Sequence, residues 1–150
     1  MNLDSFSYYM PTKIIYGRNS LKDIDIYINH RKALLVTSQG FVKRGLVDEI
    51  ITYTNNIVGV ISNIKSHPEF VDIEEIYRQA YQNQFELIIA IGGGSVMDVA
   101  KFISVHNTNK DYQFVEDLTK EKIPKKDYKI IPIISIPTTA GTGSEVTPYS

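Results

Sequence analysis

The run Leu87-Ile88-Ile89-Ala90-Ile91 passes without interruption into Gly92-Gly93-Gly94-Ser95, and this junction constrains the fold more than any other feature of the chain. Consecutive apolar residues rich in isoleucine suit a strand covered on both faces, as strands are in a parallel sheet. Directly after the glycines, Val96, Val99, Ala100 and Ile103 recur at helical spacing and outline a face that packs back on the sheet. Strand, turn and helix are therefore contiguous.

The same alternation runs through the rest of the chain. Residues 33–37, Ala-Leu-Leu-Val-Thr, read as a first buried strand, and Val42, Leu46, Val47, Ile50 and Ile51 then mark one helical face. Residues 57–61 form a second strand. His67-Pro68 marks a loop, because proline disfavours helix in the residue before it, and Phe70, Ile73, Ile76, Tyr77, Ala80 and Tyr81 trace the next helix. A short β-like opening is expected over residues 12–16. A last strand is expected over residues 130–136, with Pro132 inside it, and residues 107–129 read as a solvated connection with one helical turn. Strands alternating with helices predict an α/β fold: a Rossmann-like, mostly parallel sheet with helices on both faces. At 150 residues the chain is expected to form one domain, residues 1–150.

A glycine turn between a strand and a helix brings backbone N–H groups close to an anion without Cβ obstruction, while the helix start supplies partial positive charge. Ser95 followed by Asp98 matches the S-x-x-D form of a helix cap, so the Ser95 hydroxyl has two uses, capping or binding phosphate. A plain tight turn remains the bland alternative. The run is not a Walker loop, since Lys101 is followed by Phe102, nor is it G-x-G-x-x-G, since Met97 stands at the third glycine. A second loop, Pro137-Thr138-Thr139-Ala140-Gly141-Thr142-Gly143-Ser144-Glu145, follows the last strand with hydroxyls and small residues suited to phosphate, ribose or an adenine edge. Ligands of open α/β sheets bind at the carboxyl ends of strands, so both loops are placed to converge on one ligand.

Composition narrows the classes further. Sixteen Lys+Arg against 17 Asp+Glu leave a net charge of −1, which gives no basic stripe for nucleic acid or an anionic membrane. The absence of cysteine excludes disulfides and thiolate ligands and suits a reduced cytoplasm. No leader-like or membrane-spanning run is visible, so a cytoplasmic protein is expected. The three histidines, His30, His67 and His106, lie far apart on different elements, and no metal site is expected in this chain.

With these motifs in hand, the chain resembles the nucleotide-binding half of the iron-containing (group III, metal-dependent) alcohol dehydrogenases. The resemblance is carried by the opening Pro11-Thr12-Lys13-Ile14-Ile15-Tyr16-Gly17, by GGGSVMDVAK at residues 92–101, and by PTTAGTGSEVT at residues 137–147. It implies hydride transfer between an alcohol and its aldehyde or ketone, with NAD or NADP as cofactor. The pyrophosphate would lie on Gly93, Gly94 and Ser95, with Asp98 toward the nicotinamide side and Thr138, Thr139 and Thr142 on the adenosine side. His67 would be a cofactor neighbour where the family often has Asn. At Ser38 NAD-preferring members carry an aspartate, so loss of its carboxylate admits NADP. The resemblance further implies a divalent metal, iron or zinc, held on a second, helical domain absent from this chain, and a homodimer built partly through residues 13–16. The chain alone is accordingly expected to be an inactive fragment, prone to self-association. Dehydroquinate synthase and glycerol dehydrogenase are the related alternatives, and a non-catalytic nucleotide-binding module is the alternative from another class.

Overall fold

A computed structural model of the chain describes residues 11–65, 68–107 and 128–147. Four strands, β1 (Ala33–Val36), β2 (Ile57–Ile61), β3 (Leu87–Gly92) and β6 (Ile133–Pro137), form one parallel sheet in the order β2-β1-β3-β6. A separate antiparallel pair joins β4 (Val105–Asn107) to β5 (Tyr128–Ile130). β3 is paired on both edges and buried along its whole length, as its unbroken apolar run requires.

Helices cover both faces. On one, α4 (Phe70–Ala80) and α5 (Gly94–Ser104) pack Ile76, Ala80, Val96, Val99 and Ile103 against Leu34, Val36, Ile88 and Ala90. On the other, α1 (Ile24–Ile28) and α3 (Leu46–Tyr53) place Ile24, Ile28, Val47 and Ile50 against Ala33, Leu35, Ile89 and Ile91. The alternation of side chains along β1 and β3 divides them between the two cores. β1 to β2 moves one way along the sheet, whereas β2 to β3 and β3 to β6 move the other. Crossovers of one hand must then use opposite faces, as they do here.

Several expectations are corrected. The residues expected as one helix around 42–51 form α2 (Gln39–Lys43) and α3, separated at Gly45, whose φ of 76° breaks the helical path. Residues 20–28, unassigned above, form a short 3-10 helix (Ser20–Asp23) and α1; Leu21, Ile24 and Ile28 carry the spacing that signals them. Residues 12–16 are not a strand, because they pair with no part of the sheet, and Tyr16 is 99% exposed. The strand expected over 130–136 is two strands. Pro132 has no N–H to give a ladder, so β5 ends before it and β6 begins after it, while its carbonyl accepts from Ile88 N–H at 3.0 Å. The connection expected over 107–129 has Asn107 in β4 and Tyr128 and Lys129 in β5; its remainder lies outside the described residues.

Two rims of the domain are tied by polar side chains. Tyr81, which caps the end of α4, and Tyr77 within it donate to the carbonyls of Ile103 (2.7 Å) and Val105 (3.3 Å), fixing the end of α5. Asp25 on α1 accepts from Thr54 Oγ1 at 2.6 Å and Asn56 Nδ2 at 3.1 Å, which holds the entry to β2. These hydrogen bonds keep the Asp25 carboxyl below the usual carboxylate range. A carboxyl with a lowered folded pKa contributes stability in full above its unfolded value and loses it as pH falls through the folded one. Stability against urea is therefore expected to decline on acidification from about pH 5 to about pH 3, and Asp25→Asn should make that decline shallower, as read from unfolding midpoints across the range.

Candidate functional site

The reversal of strand order falls between β1 and β3, so a crevice opens at their carboxyl ends, the place where open α/β sheets hold ligands. A cavity of about 170 Å³ lies there, lined by Ser38 beyond β1, Ile64 and Lys65 beyond β2, and residues 93–96 at the start of α5. A larger cavity, about 520 Å³, is lined by Lys32, Tyr81, Phe85 and Glu86 at the opposite, amino ends of the strands, away from the glycine turn.

The turn itself is shaped by close approach rather than by unusual backbone angles. None of Gly92, Gly93 and Gly94 has a positive φ. A Cβ on Gly92 would lie 2.6 Å from Val96 Cγ2, and one on Gly93 would lie 3.1 Å from Thr139 Oγ1. At Gly94 the nearest atoms to a Cβ would be Thr142 Cγ2 and Ser144 Oγ, at 3.4 and 3.5 Å. The two loops thus touch, and the Thr138 N–H donates to the Gly92 carbonyl at 3.0 Å where β3 meets β6. In the second loop the glycines have the other function: Gly141 and Gly143 take φ values of 100° and 64°.

The capping box expected of Ser95 and Asp98 does not form. The N-cap of α5 is Gly93, no side chain caps the helix, and Ser95 sits inside the first turn. Asp98 instead pairs with Lys101, Oδ1 to Nζ at 3.1 Å, one turn beyond the cavity. This leaves the first amides and positive end of an eleven-residue helix facing the crevice without a capping side chain, a setting that favours an anion. By contrast, α4 has a full capping box, in which Glu69 and Asp72 exchange side-chain and backbone bonds.

Of the residues singled out from the sequence, Ser38, Gly93, Gly94 and Ser95 line the cavity, and Thr139 and Thr142 stand against its glycines. Thr138 lies at the base of the second loop, Asp98 is set back, and His67 lies outside the described residues. The sheet order sets Ser38 and the threonines on opposite sides of the turn. Among the described residues no group of three or more His, Cys, Asp or Glu side chains is placed to hold a metal, and no helix is long and apolar enough to cross a membrane.

Two residues of this site went unnoticed in the sequence. Lys65 carried no signal, since only the fold brings it to the cavity. Thr37 extends the apolar run of β1, and its position is informative only once β3 is its neighbour: fully buried, it donates from Oγ1 to the Ile91 carbonyl at 2.9 Å, while its N–H donates to the Ile61 carbonyl at 2.8 Å. It ties the ends of three strands beneath the crevice.

These features define a doubly wound α/β domain with a glycine turn and an uncapped helix start at its switch point, the place where such sheets hold nucleotides. Comparison with known proteins makes this specific: residues 11–150 match the family described as iron-containing alcohol dehydrogenase, and the chain belongs to that family. It is 32% identical to an alcohol dehydrogenase of Thermococcus barophilus over 148 residues, covering 94% of this chain and 39% of the relative. With NADH-dependent butanol dehydrogenase A of Clostridium acetobutylicum it shares 32% identity over 95% of this chain and 37% of that protein. Among solved structures, sulfoacetaldehyde reductase from Bifidobacterium kashiwanohense in complex with NAD+ aligns with a TM-score of 0.78 and 30% identity, over 95% of this chain and 38% of the other. The chain thus spans about two fifths of the length of these relatives.

Replacing the Thr37 hydroxyl leaves the Ile91 carbonyl without this donor in a buried place. Thr37→Val is expected to lower unfolding stability by about 1–3 kcal/mol, and Thr37→Ser to retain most of it, as measured by urea denaturation.

Proposed function

We propose that this chain is the nucleotide-binding part of an NAD(P)-dependent alcohol dehydrogenase, which moves a hydride between a small alcohol and its aldehyde or ketone. The observation that carries the reading is the meeting of the two loops at the switch point, with an uncapped helix start between them. The names of the relatives, an NADH-dependent butanol dehydrogenase and a sulfoacetaldehyde reductase in complex with NAD+, support a nicotinamide nucleotide and a small carbonyl or alcohol substrate.

In this reading Gly93, Gly94 and Ser95 hold the pyrophosphate through the first amides of α5. Thr138, Thr139 and Thr142 close the turn on the β6 side. Ser38 lies on the β1 side, next to the ribose expected there, and His67 is a further neighbour in the loop beyond β2. Asp98 acts at one remove, by holding Lys101. The bound nucleotide supplies the hydride acceptor or donor, and the chain's residues bind and orient it. The family's iron supports a divalent metal in the active protein. The described residues offer no ligand set for it, so no step is assigned to it. A homodimer is proposed as well, supported by the exposed Ile14 and Tyr16 in a segment that pairs with no strand. The cysteine-free composition suits a cytoplasmic setting.

The test is a fluorescence titration of the purified protein with NADH and with NADPH. Saturable binding of at least one is expected, and failure to bind either overturns the reading. Gly93 has φ and ψ values, −86° and −168°, that any residue adopts, and its neighbour Thr139 is exposed. Gly93→Val, whose side chain must displace the exposed Thr139, should lower the melting point while leaving a folded protein, and should weaken nucleotide binding by about tenfold or more, ~1.4 kcal/mol, by obstructing the approach to the amides.

A further inference from the structure

We infer that Lys65 selects a nicotinamide nucleotide with a phosphate on its adenosine ribose; the inference rests on the nucleotide reading above and concerns the same site. In doubly wound sheets the ribose next to the glycine turn reaches the end of the neighbouring strand. A carboxylate there accepts from the 2′-hydroxyl and selects the unphosphorylated nucleotide, whereas a cation accommodates the 2′-phosphate. The neighbouring strand here is β1, and it is followed by Thr37, Ser38, Gln39 and Gly40, with no carboxylate among them. The cation comes from the next connection along: Lys65, beyond β2, lines the same cavity as Ser38, Gly93, Gly94 and Ser95.

The acid nearest to Lys65 is already committed. Asp72 Oδ1 accepts from Lys65 Nζ at 2.7 Å, and Oδ2 accepts from the Glu69 N–H at 3.2 Å as part of the cap that starts α4. Asp72 thereby orients the ammonium, and it is not among the residues that line the cavity. An ammonium has three protons, and the Lys65 side chain is 68% exposed, which leaves it able to donate to a second anion. Ser38 adds a hydroxyl that makes no cap bond to α2. A 2′-phosphate placed here meets two donors and a positive charge. A bare hydroxyl finds no carboxylate among the residues that line the cavity.

The test titrates NADPH and NADH against the protein, against Lys65→Met, and against Lys65→Met combined with Asp72→Asn. The unmodified protein is expected to bind NADPH more tightly than NADH, and Lys65→Met to weaken NADPH by about tenfold while NADH stays within about twofold. The double variant removes the carboxylate that Lys65→Met would expose, so a deficit for NADPH that persists there reports lost attraction rather than new repulsion. A preference of the unmodified protein for NADH, an equal loss for both nucleotides in Lys65→Met, or full recovery of NADPH binding in the double variant overturns the inference while nucleotide binding itself stands. Binding of neither nucleotide by the unmodified protein is the distinct outcome that removes the nucleotide reading and this inference together.

Discussion

The burial of β3 on two faces and its pairing on two edges is the constraint on which the rest of the domain depends. A strand in that position is paired with β1 over Leu87–Ala90 and with β6 over Ile88–Gly92, and its side chains lie in one of two cores, so it cannot shift register without moving its whole apolar set. Its end is consequently a fixed point. Gly92 pairs with Pro137 at the last rung, and the turn that follows starts α5 from a defined height above the sheet. The second loop starts from the same rung, which is why a Cβ on Gly93 would come within 3.1 Å of Thr139 Oγ1.

The ends of the other strands are secured to that point by buried polar contacts. Thr37 donates to the Ile91 carbonyl and, through its backbone, to the Ile61 carbonyl, so the residues beyond β1 and β2 inherit the position of β3. An antiparallel bridge between Ser38 and Asn63, with Gln39 Nε2 donating to Ser62 Oγ at 3.0 Å, continues the tie outside the sheet. The cavity that joins Ser38, Lys65 and the glycine turn is thus the product of a chain of hydrogen bonds rooted in the core. Rigid elements placing groups from three connections is what a site for an extended ligand requires.

How much of this was legible in the sequence differs from element to element for physical reasons. The strands β1, β2 and β3 and the helices α4 and α5 could be read because a buried strand and an amphipathic helix each leave a local pattern of apolar residues. The division of residues 39–53 into two helices was missed because apolar spacing continues across Gly45, although a glycine directly after Lys43 and Arg44 is itself a helix-stop signal. Pro132 was visible, yet its effect depended on which partner lay on each side: α5's end and β4 before it, β3 after it. In the site, the glycines and threonines could be named from the sequence. Lys65 could not, since its relevance is a matter of sheet order alone.

The glycine turn shows why motif and mechanism must be argued separately. The left-handed angles that glycine alone takes readily belong here to Gly141 and Gly143, in the other loop. A Cβ at Gly92 would collide with Val96 of α5 and one at Gly93 would crowd Thr139, whereas at Gly94 it would make only ordinary contact with Thr142 and Ser144, so the motif records packing at its first two glycines as much as ligand contact. Packing alone, however, would be served equally well by a helix start with a conventional cap, such as Glu69 and Asp72 provide for α4. Ser95 and Asp98 have the residue types for that cap, and the register of α5 withholds it by placing Ser95 two positions too late. The missing cap does not set α5 apart, since α1, α2 and α3 also start without a side-chain cap bond; what the start of α5 has in addition is the second loop against its glycines and the cavity beside its first amides. That combination is a sound arrangement for an element whose first amides are reserved for an anion.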